Sequence, residues 1–143
     1  MNIIDSSGWI EIFTGGLQGD RFARIARIER DLVVPALVVA EVVQHVHTHL
    51  GDGPAMDALA ALARGIQLPF TAAMAGAAAR AAEEYGLSFR NSLVYAQARH
   101  CAADLWTMEP AFEPLPGVRY VPRPAPDRPD PLRARWVGPA SGS

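Results

Sequence analysis

Apolar residues in this chain form short runs that alternate with longer stretches of helix-like spacing. Residues 2–5, NIID, are an apolar run ending in an acid, and Ser6-Ser7-Gly8 follow, the pattern of a strand entering a helix. WIEIF continues that helix, GGLQGD is a glycine-rich loop, and residues 20–30 read as a second helix. LVVP, residues 32–35, is a buried-type strand closed by proline, with a helix over about 36–50 after it. In that helix Val39, Val43, Val46 and Leu50 form one stripe, while Leu37, Glu41, Gln44 and His45 point the other way. Gly53-Pro54 opens a further helix that ends near Gly65, with proline suited to the first helical position.

Beyond this, IQLPF is a short strand, and Thr71 caps an alanine-rich helix over 72–85 that Gly86 closes. Ser88 caps the next helix, about 89–103. LWT, 105–107, is a strand, EPAFEPLPG a loop, and VRYV, 118–121, a last strand. Short apolar strands alternating with helices predict an α/β fold whose parallel sheet is covered on both faces. Ligands of such sheets gather at the carboxyl ends of the strands.

The last 22 residues change character. Six of the chain's twelve prolines lie between Pro122 and Pro139, with no apolar period. The division is a folded body over 1–121 and a proline-rich tail over 122–143, read as an extended tail or a partner-binding strap. At 143 residues the chain is long enough to bury one proper core.

Composition narrows the class. Half the residues are apolar, yet no run approaches the ~18–20 residues of a membrane span. The start, MNIIDSS, has neither a basic region nor a long apolar one, and the lone Cys101 forms no internal disulfide. These features predict a cytoplasmic protein with no membrane role. Net charge is −2, and all thirteen basic residues are arginine. Arg21, Arg24, Arg27 and Arg30 recur every third residue, which drifts about 60° per step on a helix. They make a broad basic flank, read as a solvated face in preference to a nucleic-acid surface.

Three acids stand where chemistry is expected. Asp5 and Glu109 follow strands at their carboxyl ends, and Glu41 lies among valines on the helix after LVVP. Each has an ordinary reading: a helix cap for Asp5, a solvated face for Glu41, a solvated loop for Glu109. Gathered together, they would repel one another and raise each other's pKa unless a cation sat between them. Mg²⁺ and Mn²⁺ prefer such oxygen ligands. His45, His47 and His49 make a poor zinc site, because only His45 and His49 share a helix face. Trp9, Phe13 and Leu17 read as core or dimer contact, and Cys101, among alanines, as packing.

NIIDSSGWIEIF, VVPALVVAEVV, GLSFRNSLVYAQA and LWTMEPAFEPLPGVRYV resemble, in order and spacing, the PIN-domain ribonucleases, and most closely the VapC-like toxins of type II toxin–antitoxin systems. The resemblance covers residues 1–121. It implies a three-layer α/β/α fold with a short central parallel sheet, a metal-dependent endoribonuclease site, a homodimer, and an antitoxin whose arm covers the groove. Carried over by position, Asp5, Glu41 and Glu109 are site acids, Glu109 standing where aspartate is more usual. Ser7 and Thr107 match hydroxyl positions that line the site. The departure is Asn91, an amide where the family has its third aspartate.

The expected activity is therefore hydrolysis of RNA phosphodiesters in single-stranded loops, supported by Mg²⁺ or Mn²⁺ held by Asp5, Glu41, Asn91 and Glu109. Asn91 carries no charge, so it weakens or abolishes that activity, whether it is natural or introduced to silence a toxic nuclease. Arg90 at the same helix start either meets a phosphate or is a surface arginine. The alternative to the nuclease is an inactive module of the same fold that binds an antitoxin or RNA. A phosphatase using Asp5 as nucleophile is disfavoured, because Ser7 stands where that chemistry wants a second acid.

Overall fold

The computed structural model describes residues 1–124. Five short strands, β1 Asn2–Ile4, β2 Leu32–Pro35, β3 Ile66–Leu68, β4 Asp104–Thr107 and β5 Val118–Tyr120, form one sheet in the order β3-β2-β1-β4-β5. Every pairing is parallel, with Ile3 opposite Val33 on one side and Leu105 on the other. Parallel strands need helical crossovers, and six helices supply them: α1 Ser6–Thr14, α2 Gly19–Ala26, α3 Ala36–Leu50, α4 Asp52–Leu62, α5 Ala72–Tyr85 and α6 Phe89–His100.

The sequence explains the order of layers. The chain steps outward from β1 to β2 to β3, then crosses back to β4 on the other side of β1. Right-handed crossovers then place α1–α4 on one face and α5–α6 on the other. The helices pack in sequential pairs, α1 with α2, α3 with α4, and α5 with α6, and α1 also packs on α3. This is the expected three-layer α/β/α arrangement. Ile3, Ile4, Val33, Val34 and Leu105 are fully shielded at its centre, as strands covered on both faces require.

The expected caps hold. The Thr71 side chain accepts from the Met74 N–H, Gly86 closes α5 at φ 65°, and the Ser88 side chain accepts from the Asn91 N–H. Gly8 is required by packing: a Cβ there would lie 2.6 Å from both Ile4 Cγ2 and Phe22 Cδ1.

Four details differ from the sequence reading. Helix α2 stops at Ala26, and a 3-10 turn over Glu29–Asp31 leads into β2, so Arg27 and Arg30 lie beyond the helix. All four arginines are exposed, as a solvated flank requires. Helix α6 ends at His100, where Ala102 turns left-handed at φ 48° and the Ala103 N–H reaches back to the Ala98 carbonyl. The buried stripe of α3 is Val38, Val42 and Val46, while Leu50 is 46% exposed. Among the aromatic stripe residues, Trp9 is buried and stacks on Phe13, but Leu17 lies past the end of α1 at 84% exposure. The proposed tail falls, from residue 125 on, outside the described residues.

Candidate active site

The sheet reverses direction of progress between β1 and β4, so the crevice at their carboxyl ends is the topological switch point. Asp5 and Thr107 stand there. Pairing of Ile4 with Trp106, continued by the Asp5 N–H bonding the Trp106 carbonyl at 2.9 Å, brings them side by side. Thr107 Oγ1 donates to Asp5 Oδ2 at 2.9 Å and accepts from the Glu109 N–H at 2.9 Å. Asp5 Oδ1 accepts from the Ser6 N–H at 2.9 Å, so the residue caps α1 as well as facing the crevice. The expected cap is present. Ser7 Oγ accepts from the Met108 N–H and sits 3.5 Å from Thr107 Oγ1, fixing the loop after β4 against α1.

Asp5 is 1% exposed, and a buried carboxylate needs partners. The strongest comes from α6. Arg90 Nη2 donates to Asp5 Oδ1 at 2.6 Å and to Glu41 Oε1 at 2.6 Å, and Arg90 Nε donates to Glu41 Oε2 at 2.8 Å. The same guanidinium reaches Ser6 Oγ at 2.7 Å and Asn91 Oδ1 at 3.1 Å. Nη2 has two N–H groups and meets three acceptors, so one bond is shared. The Arg90 and Glu41 side chains are 28% and 31% exposed. Burial by itself lowers the arginine's pKa, but its bonds to Glu41 and the charge and bond at Asp5 outweigh it, and the pKa rises above its ordinary value. Arg90 is a fixed cation, bound to carboxylates rather than lying free on the surface.

Asp5, Glu41 and Asn91 are therefore brought together, with Thr107 and Ser7 behind Asp5. The Glu109 carboxylate is turned to the Ala111 N–H at 3.4 Å, capping the 3-10 turn Pro110–Phe112, and only its backbone joins the Thr107 network. Sequence reasoning missed Ser6. Its position directly after a candidate site acid, at the first turn of a helix, was the available signal.

The family resemblance implies a divalent ion, and the donor set can be tested against it. Two carboxylates and one amide oxygen converge, and all three are bonded to the guanidinium. Among the described residues, no three His, Cys, Asp or Glu side chains gather as a group able to hold a metal. As arranged, these residues do not fit a divalent ion, which wants several free hard-oxygen ligands.

Other candidates resolve simply. His45 and His49 stack at 4.1 Å, His49 Nδ1 bonds the His45 carbonyl, and His47 pairs with Asp52 at 2.7 Å. Burial raises the Cys101 thiol pKa, and the residue packs against the core. A cleft of about 370 Å³ opens beside Glu41, lined also by Ser6, Ile10, Gln44 and His45. A larger groove of about 780 Å³ between α3 and α4 is lined by Val39, Val43, Met56 and Leu59. Its walls are mostly apolar, with Gln44, His47 and Asp52 the polar residues along them.

A toxin–antitoxin complex from Klebsiella pneumoniae matches at TM-score 0.71 and 17% identity, over 83% of this chain and 96% of that one. VapC20 of Mycobacterium tuberculosis, a sarcin–ricin-loop-cleaving toxin, matches at TM-score 0.70 and 17% identity, over 85% and 100% of the two chains. FitAcB from Neisseria gonorrhoeae matches at TM-score 0.57 and 19% identity, over 76% and 88%. At such identities these likenesses carry the fold. No curated protein matches the chain. The family model of the PIN domain matches residues 3–116, most of the chain, and the chain belongs to the PIN domain family.

Proposed function

We propose that this PIN-domain chain is a ribonuclease toxin of the toxin–antitoxin kind, hydrolysing RNA phosphodiesters at the crevice between β1 and β4. The observation that carries this reading is Asp5. It is buried at the switch point and fixed by Thr107 and the Ser6 N–H, and Arg90 links it to Glu41 and Asn91. In this reading Asp5, Glu41, Asn91 and Glu109 are the site residues, and Ser7 and Thr107 hold Asp5 and the loop after β4. A requirement for Mg²⁺ or Mn²⁺ belongs to it and is met poorly by this chain. Membership in the PIN family and folds shared with toxin–antitoxin proteins support the assignment.

A small antitoxin partner, an RNA substrate, a homodimer and a cytoplasmic location complete the proposal. Among the described residues no helix is long and apolar enough to cross a membrane. The second reading, an inactive module that binds an antitoxin or RNA, is favoured by one feature: a cation already bridges Asp5 and Glu41 while Asn91 supplies no charge.

The test is cleavage of structured RNA in Mn²⁺ by the parent and by Asn91→Asp. The ribonuclease reading expects weak cleavage by the parent and a clear gain in the variant. Absence of cleavage in both, with antitoxin binding intact, selects the binding module.

A further inference from the structure

We propose that Arg90 is the resident cation of the acid site, a built-in lock that occupies the place between Asp5 and Glu41 and excludes a divalent ion until it is displaced. The inference rests on the ribonuclease reading for the site's purpose, but its physical content is independent of RNA.

Two carboxylates brought to one crevice, one of them almost wholly buried, need a positive partner. The Arg90 fork supplies it from within the chain, with two bonds to Glu41 and one to Asp5, all between 2.6 and 2.8 Å. The Arg90 backbone is not free to wander, because Ser88 caps α6 and holds the Asn91 N–H at 3.2 Å. Asn91 completes the lock: its oxygen accepts from Nη1 at 3.1 Å. Both Glu41 oxygens, Asp5 Oδ1 and Asn91 Oδ1 are thus already bonded to one planar group, while Asp5 Oδ2 is held by Thr107, and arginine does not lose its proton at any working pH.

Competition follows directly. A divalent ion and the guanidinium need the same lone pairs, so metal binding must first expel Arg90 toward solvent. The apparent affinity is then the intrinsic one multiplied by the fraction of time the site stands open. With the lock closed nine-tenths of the time or more, affinity falls by at least about tenfold.

The experiment is titration of Mn²⁺ into the full chain, followed by calorimetry and by thermal melting in chelator and in Mn²⁺. The parent and Arg90→Met are compared, methionine keeping the apolar stem without charge. The expected result is a parent whose melting ignores both chelator and Mn²⁺. The variant is expected to melt lower in chelator, recover in Mn²⁺, and bind Mn²⁺ at least about tenfold more tightly than the parent. Equal affinities, including no binding by either, overturn the lock. Should Arg90→Met fail to fold, Arg90→Lys decides. A single ammonium cannot fork across both carboxylates, so tighter Mn²⁺ binding than the parent supports the lock and equal binding overturns it. None of these readouts involves RNA. A chain that never cleaves RNA can still show the lock, and one that cleaves can still lack it.

Discussion

Arg90 and Glu41 meet through two parallel bonds, Nε to Oε2 at 2.8 Å and Nη2 to Oε1 at 2.6 Å, although 49 positions separate them in the chain. The pair ties α6 to α3 across the carboxyl edge of the sheet, and Asp5 at the end of β1 joins through the same guanidinium. Charge balance in the crevice therefore comes from three separate elements. Each is placed by its own local logic: a strand end, a helix stripe and a capped helix start.

Thr107 should matter for stability as well as for the site. Its hydroxyl serves the buried Asp5 carboxylate and the Glu109 N–H at once. Thr107→Val keeps the shape and removes both bonds, so urea unfolding should show a loss of about 1–3 kcal/mol. An unchanged midpoint would mean that Asp5 draws nothing from Thr107.

Gly8 offers a case where two effects oppose. Alanine in a helix is favoured over glycine by about 1 kcal/mol. Against that, the added Cβ would press on Ile4 and Phe22, both 0% exposed, at 2.6 Å. Overpacking of that kind costs about 1–3 kcal/mol, and neither neighbour has room to give. Gly8→Ala should lower the melting temperature; a rise would show that the Phe22 ring can shift freely.

Ala102 should respond in the opposite sense. It holds the left-handed turn that ends α6, at φ 48°, a conformation that glycine adopts without strain. Relief of strain, less the entropy that glycine adds to the unfolded chain, leaves Ala102→Gly more stable by about 0.5–1 kcal/mol. Equal or lower stability in chemical denaturation would contradict this.

Much of the scaffold was legible. Thr71, Gly86 and Ser88 announced their helix ends, and Asp5 with Thr107 marked the strand ends that form the crevice. The α3 stripe was not. Valines at 38, 39, 42, 43 and 46 fill two neighbouring stripes, so periodicity does not choose which one faces the core. The structure buries Val38, Val42 and Val46 and leaves Val39 and Val43 along the groove beside α4. Arg90 was harder still. A long side chain at a helix start can reach in several directions, and only the folded positions of Asp5 and Glu41 select one. The need for a cation between the acids was readable from their charge; that arginine would fill it was not. Glu109 lay at the expected strand end, but its carboxylate turns to the Ala111 N–H instead of toward the other acids.

The central claim is that Asp5, Glu41 and position 91 form one reactive site for RNA. It is tested most directly by cleavage of structured RNA in Mn²⁺ with Asn91→Asp and with the double variant Asn91→Asp, Glu41→Gln. Restoring the third acid should raise cleavage well above the parent's, and neutralising Glu41 in that background should abolish the gain. Cleavage that persists undiminished in the double variant would contradict the account.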